Sequence, residues 1–569
     1  MIDAITLEVI RHGLLAAAEE MARNLCRTSY NTIVYEIHDY GIGIHDVNGD
    51  VVADTPGIAV FTRANDYGIK TIINFLGYKN MESGDIFINN YPYWSGAHTL
   101  DTLVFAPVHH EGKIIGFVSC RIHILDLKQK DAGYVLDSTD MYQEGIFFPG
   151  TKVYRKGEIN HDFFNIIKFN SRMPTQVIGD IQAQVSACQT GVIRVQELIK
   201  KYGIDVINEG MQAINQHGER LARLALKKLP KGTWTAFDFV DNDGVDLDRP
   251  IKINVTVTIN DDEMVIDFTG SDKNVRGPIN LPIGMTMAFC SLLFKSLTTP
   301  NSSVVAGNFA PMRVIAEEGS VMNAIPPMPT FTLWTGLLGG EVVLKAIAQG
   351  MPDLVPACSG GDVCSMMGVG INPRNNEMWI EATNEAVGFG GHKEADGEDG
   401  IMHLTEPGCR NNPVEVIESK TPMFIESYGY RIDSGGPGLH RGGVGVGRVY
   451  RFLAPSSAIC IVYKTKSKPW AIGEGKFGSN NHVVINPGPN QLIKGGSYNS
   501  MAEQDVLVNN SGGGGGYGNP FARDVAKVVR DVRNGFVSIE AAKEEYGVIL
   551  DPVNLEVDEL KTSKLRKIS

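Results

Sequence analysis

Apolar and polar positions alternate with a helical period in some stretches and with a strand period in others. Apolar residues recur at helical spacing over about residues 4–27, which predicts an amphipathic helix. Strand-type alternation breaks at the Asn-Gly-Asp of residues 48–50 and then resumes, which is typical of a β-hairpin. The longest helical periodicity covers residues 174–228 and predicts two long helices, each followed by a glycine that can end it. Between these elements, residues 102–125 predict two apolar strands around a turn at Glu111-Gly112.

Past the long helices the pattern changes to alternating strands, interrupted by helical stretches at residues 286–298 and 333–352. Residues 422–510 alternate short strands with turns. This order of elements predicts an α+β fold with several sheets and flanking helices. We expect an N-terminal α/β region over residues 1–230 and a β-rich C-terminal region with terminal helices over residues 231–569.

Composition and charge narrow the functional class. The length of 569 residues exceeds the usual size of one hydrophobic core, and 43% apolar and 21% charged residues are ordinary for a globular protein. A net charge of −13 argues against general affinity for nucleic acid. The sequence has no apolar run of the roughly 18 residues that a membrane helix needs, and acidic residues interrupt its first apolar run, unlike a signal peptide. The cysteines show no C-x-x-C spacing, so we expect a cytoplasmic protein with reduced thiols.

Two His/Asp pairs lie within the predicted strand pair: His98 and Asp101 where the first strand begins, and His123 and Asp126 where the second ends. If the strands lie side by side, about 4.8 Å apart, His98 can approach His123, and Asp101 adds a carboxylate. Two imidazoles and one carboxylate are a recurring ligand set for a catalytic divalent metal. Buried His and Asp residues are more often hydrogen-bonded structural residues, so from the residues alone both interpretations stay open.

Three glycine-rich segments call for interpretation. Residues 435–447 could let backbone amides approach an anion, but they continue into a predicted strand, so tight turns are favoured. In "GEGKFG", Phe477 stands where a phosphate loop needs Ser or Thr. Residues 511–520 predict either a flexible linker or a tight loop between packed elements.

Longer motifs give a family resemblance that runs nearly end to end. "SGDIFINNYPYWSGAHTLD", "GDIQAQVSAC", "RIDSGGPGLHRGG" and "SGGGGGYGNPFARD" occur in an order similar to that of the hydantoinase B/oxoprolinase family. The resemblance implies that family's multi-sheet fold with flanking helices. It also implies a metal-bearing subunit of a hetero-oligomer, such as a heterotetramer, whose hydantoinase A-like partner binds ATP and Mg²⁺.

Carried over position by position, the resemblance places the metal ligands on His98, Asp101 and His123, and zinc or manganese suits this set. Asp126 matches a family acidic position and either orients a ligand or caps a turn at the strand end. Asp39 matches another acidic position and is either a general base near the metal or an exposed hairpin residue. Glu144 has a similar status, with a structural role favoured.

The chain also departs from many hydrolytic members of the family. Tyr91 stands where they carry Asp, and Ile124 and Leu127-Lys128 stand where they often have a His-His pair and a Gly-Gly. We expect these changes to lie around the pocket, which leaves the identity of the substrate open.

The resulting hypothesis is the metal-containing subunit of a heteromeric, ATP-dependent hydrolase that opens a lactam, hydantoin or 5-oxoproline-type ring. The partner would phosphorylate the carbonyl oxygen, and water acidified by the metal would attack the activated carbon. Ketone carboxylation of the acetone or acetophenone type is the alternative; the family's carboxylase subunits are longer than this chain, which favours the hydrolase. A non-catalytic scaffold is a third hypothesis, and the intact ligand set argues against it.

Overall fold

A computed structural model describes residues 2–55, 57–406 and 408–568 of the chain. Helices and several β-sheets are both well represented, so the expected α+β class is confirmed. The amphipathic N-terminal helix, the hairpin around residues 48–50 and the two long helices after residue 174 are all present.

The strands of the N-terminal region form one antiparallel seven-stranded sheet that carries the candidate site. Its strands are β1 (Tyr40–Asp46), β2 (Val51–Thr55), β3 (Ile86–Asn89), β4 (Asp101–His110), β5 (Lys113–His123), β6 (Pro149–Arg155) and β7 (Glu158–Ile159). Their order across the sheet is β2-β1-β5-β4-β3-β6-β7. The expected turn joins β4 to β5, and Glu111 and Gly112 both have positive φ (48° and 76°), a conformation that favours glycine.

Helices cover both faces of this sheet. They are α1 (Ala4–Thr28), α2 (Thr32–Tyr35), α3 (Val60–Leu76), α4 (Pro92–Ser95), α5 (His161–Asn170), α6 (Pro174–Tyr202) and α7 (Ile204–Leu226). Gly191 of α6 lies against Val118 on one face, and Gly68 of α3 lies against Leu103 on the other. Because both faces are covered, the first eight residues of β4 are buried, which explains its nearly continuous apolar sequence.

The C-terminal region builds three further sheets. Its strands are β8 (Gly232–Val240), β9 (Ile251–Ile259), β10 (Met264–Asp267), β11 (Met312–Ile315), β12 (Ser365–Asn372), β13 (Glu377–Thr383), β14 (Met423–Tyr430), β15 (Val446–Phe452), β16 (Ser456–Ile461), β17 (His482–Ile485), β18 (Leu492–Lys494), β19 (Ser497–Met501) and β20 (Val506–Asn510). The sheet orders are β11-β10-β9-β8, β13-β12-β16-β19 and β14-β15-β20-β17-β18. Of the paired strands, β10 and β11 run parallel.

The helices of this region pack between the sheets and at the C-terminus. They are α8 (Ile283–Thr298), α9 (Trp334–Ala348), α10 (Val414–Lys420), α11 (Val525–Arg533), α12 (Ile539–Tyr546) and α13 (Glu559–Ile568). α8 packs on α3 and α9, and α9 packs on β8 and β9. One hydrophobic core therefore includes residues of both regions, such as Leu14, Ile181, Phe294 and Val342. The boundary near residue 230 stays a prediction.

The glycine-rich residues 511–516 form a tightly packed loop rather than a flexible linker, because all six are buried. Gly514 donates to the carbonyl of Gly443 (3.0 Å) and accepts from the amide of Gly436 (2.7 Å). Gly442 in turn donates to the Gly436 carbonyl (2.8 Å). These amides of the 435–447 segment are thus bonded to backbone carbonyls, which agrees with the tight-turn interpretation.

Two expectations from composition concern membranes and thiols. Within the described ranges, no helix combines the length and the apolar content needed to cross a membrane. All eight cysteines are free thiols, and seven of them are buried. Burial suits cysteine as a small apolar side chain.

The packed loop predicts that Gly514→Ala destabilises the protein strongly. A Cβ at this position would lie 1.9 Å from the carbonyl oxygen of Phe389, so the backbone must shift. Overpacking of this kind costs about 1–3 kcal/mol or more. Gly429→Ala is the matched control, since its Cβ would meet nothing within 4 Å. Thermal unfolding should show a lower Tm for Gly514→Ala alone; equal values for the two variants would contradict the close packing of the loop.

Candidate metal centre

His98, Asp101 and His123 lie together at one end of the β4–β5 pair. His98 is in the loop before β4, Asp101 begins β4 and His123 ends β5. All three side chains are buried, and their ligand atoms lie within 4.8 Å of one another. Oδ1 of Asp101 is 3.3 Å from Nε2 of His98 and 3.2 Å from Nδ1 of His123. The convergence expected from the sequence is therefore present.

Strand pairing explains this convergence. Asp101 and His123 are direct partners in the β4–β5 ladder. Directly opposite residues project from the same face of a sheet, so both side chains lie on the face covered by α3. The amide of Asp101 donates to the carbonyl of His98 (3.0 Å), and this turn places His98 beside the other two.

The three residues fit a divalent metal ion. Oδ2 of Asp101 and Nε2 of His123 are buried and have no hydrogen-bond partner. A buried polar atom without a partner is unfavourable by about 1–3 kcal/mol, and a bound cation would remove that cost. A mixed set of imidazole and carboxylate donors suits zinc or manganese.

The pKa values of His98 and Asp101 favour ligation, whereas that of His123 opposes it in the absence of a cation. Burial lowers the pKa of His98 to about 4, which leaves its imidazole neutral at neutral pH. Burial acts to raise the pKa of Asp101, but the neighbouring His98 and His123 outweigh it, so the pKa lies below its usual value. Burial acts to lower the pKa of His123, but the hydrogen bond and charge of Asp101 outweigh it and raise the pKa. A cation at Asp101 would compete with that imidazole proton, since metal ligands must be deprotonated.

Two aromatic rings lie against the imidazole rings of His98 and His123. The ring of Phe331 stacks on His98, with centroids 5.2 Å apart and planes at 22°. The ring of Tyr134 lies nearly parallel to His123, with centroids 6.4 Å apart and planes at 9°. Tyr134 donates its hydroxyl to the carbonyl of Phe331 (3.0 Å), so the two rings are held together.

Glu144 makes hydrogen bonds to the loop that carries Phe331. Its buried carboxyl accepts the amides of Thr330 (2.9 Å) and Phe331 (3.1 Å) and the hydroxyl of Ser138 (2.8 Å). Burial raises the pKa of Glu144 to about 8. The contacts agree with the structural role that the sequence favoured, exerted on the loop that carries Phe331.

Asp39 lies immediately before β1, where its carbonyl accepts the amide of His123 (3.4 Å). Its Oδ1 is buried and has no hydrogen-bond partner. Burial raises the pKa of Asp39 to about 7, with His123 acting in the opposite direction and Asp101 adding to the rise. A carboxyl that titrates near neutral pH is suited to proton transfer. Its role as a base stays a prediction.

Asp126 makes its hydrogen bonds away from the three ligands. Its carboxylate accepts the hydroxyl of Ser171 (3.0 Å) and Nη1 of Arg172 (2.6 Å), together with the backbone amide of Arg172. These contacts tie the segment after β5 to the connection between α5 and α6. Any influence of Asp126 on a metal ligand remains a prediction.

A cavity of about 90 Å³ opens beside the three ligands. By the same measure one water molecule needs about 10–15 Å³, so the cavity has room for a small organic molecule. Both regions of the chain line it, with Ile33, Ile37, Asp39, Ile58, Val60, Phe61, His98, Asp101, His123, Tyr134, Leu333, Trp334, Leu337, Val363, Ser365, Met367, Ala382, Asn384, Glu406 and Ile461.

Glu406 is a cavity residue that the sequence did not reveal. It lies in the loop between β13 and α10, where its amide donates to the carbonyl of His403 (2.8 Å). Burial raises the pKa of Glu406 to about 8, and Asp39 and Asp101 add to this rise. Neither Glu406 nor Phe331 belongs to a recognisable motif, and each reaches the site only through the fold.

The positions at which the chain departs from many hydrolases do not line the cavity. Tyr91 packs its ring against Tyr93, Trp94 and Phe147, with centroids 5.3–5.6 Å apart. Within the described residues, Ile124 and Leu127 are buried in the main hydrophobic core instead of facing the cavity. None of these side chains lines the cavity itself, and the expectation that the changes lie around the pocket stays a prediction.

Comparison with known proteins shows similarity over nearly the whole length of this chain. The model of the family described as Hydantoinase B/oxoprolinase matches residues 3–520. The chain is 33% identical over 589 aligned residues to a protein of Pseudomonas sp. (strain NS671) that is named as the B-type component of a D-/L-hydantoinase. That alignment covers 100% of this chain and 98% of the relative.

Two solved structures have the same fold. The ATP-dependent caprolactamase from Pseudomonas jessenii superimposes with a TM-score of 0.92 at 26% sequence identity, over 100% of both chains. Nucleotide-free acetone carboxylase superimposes with a TM-score of 0.91 at 19% identity, over 100% of this chain and 83% of that one. The second likeness concerns the fold alone.

The geometry predicts that the purified protein holds about one divalent metal ion per chain, and that His98→Ala loses it, because a site of three protein ligands is weakened severely by removal of one. Elemental analysis after gel filtration measures the number of metal ions per chain. His110→Ala, at the far end of β4, is the matched control and should keep the parental content. Unchanged metal content in His98→Ala would show that the ligand assignment is wrong.

Proposed function

Because the chain belongs to the hydantoinase B/oxoprolinase family, we propose that it is the metal-holding subunit of a heteromeric, ATP-dependent hydrolase that opens a cyclic amide. The observation that carries this proposal is the buried set of His98, Asp101 and His123 beside an apolar cavity that also contains Asp39. The relatives named as components of larger enzymes and as ATP-dependent enzymes support the assignment.

The chemistry of an amide explains why two subunits are needed. Nitrogen donation stabilises the amide carbonyl, and phosphorylation of the carbonyl oxygen by ATP removes that stabilisation. After water adds to the activated carbon, the C–N bond breaks and opens the ring, and a second water hydrolyses the resulting acyl phosphate to the carboxylate and phosphate. We assign phosphorylation to a hydantoinase A-like partner that binds ATP and Mg²⁺, since the glycine-rich segments of this chain form packed turns. A heterotetramer of two such pairs is the expected assembly.

In this chain, His98, Asp101 and His123 would hold the metal, which supplies Lewis-acid chemistry when bound. The apolar wall of the cavity excludes bulk water and so strengthens the charge interactions within it. We assign to Asp39 the acceptance of a proton from the water that attacks the activated carbon, and its buried, unpartnered Oδ1 supports this assignment. Phe331 and Tyr134 keep the two imidazoles from rotating.

Ketone carboxylation is the second candidate function. The apolar cavity is as suitable for a small ketone as for a cyclic amide, and acetone carboxylase shares the fold. The higher sequence identity to the caprolactamase, 26% against 19% for the carboxylase, favours the hydrolase. A non-catalytic scaffold without metal is the third candidate. Elemental analysis of the purified chain would distinguish it from both enzymes, because only the enzymes need the metal.

The division of labour predicts that the isolated chain neither hydrolyses amides nor binds ATP tightly. Reconstituted with its hydantoinase A-like partner, the chain should couple ATP consumption to ring opening of lactams, hydantoins or 5-oxoproline. Product analysis and phosphate release measure both activities, and ketones with bicarbonate form the second arm of the assay. Micromolar ATP binding by the isolated chain would contradict the proposed division, and ATP use only with ketones would favour the carboxylase.

The role of Asp39 predicts that Asp39→Asn lowers kcat of the reconstituted complex by roughly a hundred- to ten-thousand-fold while metal content and Tm stay parental. The substitution keeps the shape of the side chain but removes its ability to accept a proton at neutral pH. Asp50→Asn, in the turn between β1 and β2, is the matched control. Turnover near the parental value would remove Asp39 from the mechanism, and loss of metal would make it a ligand instead.

A further inference from the structure

The cavity beside the ligands is small, and its lining is removed from solvent. None of the described side chains that line it is exposed, and most of them are buried. Its volume is about 90 Å³, whereas an apolar cavity of about 150 Å³ holds benzene. A five-membered lactam has as many non-hydrogen atoms as benzene. Such a ring therefore already fills the cavity, and all the more so when a metal ion occupies part of the space.

Two aromatic side chains of the cavity wall are held in place by other contacts. Nε1 of Trp334 donates to the buried carboxylate of Asp362 (2.9 Å), and the indole packs on the ring of Tyr463, with centroids 4.7 Å apart. Phe61 packs so closely on the backbone of Gly41 that an added Cβ there would lie 2.5 Å from the Cβ of Phe61. Moving either ring aside would break these contacts, so this part of the wall resists expansion.

Leu337 continues the wall that Trp334 begins. The two residues are three positions apart on α9, so their side chains lie on the same face of the helix, and both line the cavity. Leu338 is also buried, with exposed fractions of 5% for Leu338 and 2% for Leu337, but it is not among the described residues that line the cavity. Adjacent leucines of one helix thus differ in whether they bound the cavity.

From this lining we propose that the cavity selects cyclic amides by ring size, five-membered in preference to six- or seven-membered, and that Leu337 is the specificity-determining residue that sets this limit. The inference rests on the proposed function, since it concerns which ring enters the same site. It does not depend on the charge of the site, because lactam rings of different size are all neutral and a bound cation would act on them alike.

The physical reason is that an added methylene has opposite effects in a roomy and in a filled apolar pocket. In a roomy pocket, burial of the methylene would raise kcat/KM about fourfold. In a filled pocket it displaces side chains and backbone from their packed positions, which would lower kcat/KM by about five- to a hundredfold. The small volume and the anchored rings of Trp334 and Phe61 favour the second effect.

The decisive experiment measures the turnover of 2-pyrrolidinone, 2-piperidinone and caprolactam by the reconstituted complex. With the parent chain, we expect kcat/KM to fall at least about fivefold with each added methylene. A rise of kcat/KM with ring size would overturn the size limit. The hydrolase function would be intact in that case, because ring opening would still be observed.

A pair of leucine variants assigns the limit to this chain, because the partner subunit is the same in every assay. Leu337→Ala should raise the ratio of kcat/KM for caprolactam to that for 2-pyrrolidinone at least about tenfold over the parent. Leu338→Ala is the matched control, since it makes the same change on the same helix away from the cavity, and should leave the ratio within a few fold of the parent. Equal ratios in the two variants would overturn the role of Leu337.

A milder variant covers the case in which Leu337→Ala does not fold. Leu337→Val removes one methylene and costs less stability, and it should raise the same ratio about threefold. An unchanged ratio in a folded Leu337→Val complex would overturn the inference.

A binding measurement decides the size limit if no ring is turned over, an outcome that would contradict the hydrolase function itself. The metal-loaded chain is titrated calorimetrically with 2-pyrrolidinone and with caprolactam. Tighter binding of the smaller ring by the parent, together with a weaker preference in Leu337→Ala, supports the inference. Every other pattern, including binding of neither ring, overturns it.

Discussion

The pairing register of β4 and β5 is the constraint on which the candidate site depends. Counted from the turn at residues 111–112, an unbroken ladder would pair Asp101 with Ile122; a β-bulge at Ile115 shifts the pairs by one and brings His123 opposite Asp101. Because side chains alternate between faces, a slip of one residue would leave one ligand on the α3 face and send its partner to the α6 face. Bulges commonly re-aim side chains next to active sites, and this one sets the ligand geometry.

A buried polar network beside the ladder holds that geometry. Arg121 donates to the carbonyls of Asp101 (3.2 Å), Ser95 (2.7 Å) and Ala64 (3.3 Å). It also donates to the side chain of Asn65 (2.8 Å). One guanidinium thus joins β4, the end of α4 just before the His98 loop, and the helix α3. Burial lowers the pKa of Arg121 to about 10 and the Asp101 carboxylate opposes this, so the group stays charged at neutral pH.

Sequence reasoning succeeded where the relevant residues are neighbours along the chain or across one hairpin. Asp101 and His123 belong to a single strand pair, and His98 to the loop just before it; strand spacing predicted that the three could approach one another, and the family resemblance assigned them as ligands. The bulge at Ile115 was missed, although Gly116 beside it is the kind of residue that often marks a bulge within a strand. Phe331 and Glu406 were missed for another reason: they approach the ligands from more than 200 residues away, and only tertiary packing brings them there.

The structure separates the groups that would hold the metal from those that shape the rest of the cavity. Asp101 and His123 lie on the antiparallel ladder and His98 in the loop just before it, and the buried Arg121 donates to the carbonyl of Asp101. The rest of the cavity wall comes from both regions: Ile33, Ile58 and Phe61 precede the ladder in the chain, and α9, the β12–β13 pair and the loop of Glu406 belong to the C-terminal region. Side chains on that wall can change in size or charge without altering the strand register that sets the ligand positions. Under the proposed function, the chemistry of ring opening is therefore set by the ladder and the residues beside it, and the choice of ring by side chains that both regions contribute to the cavity.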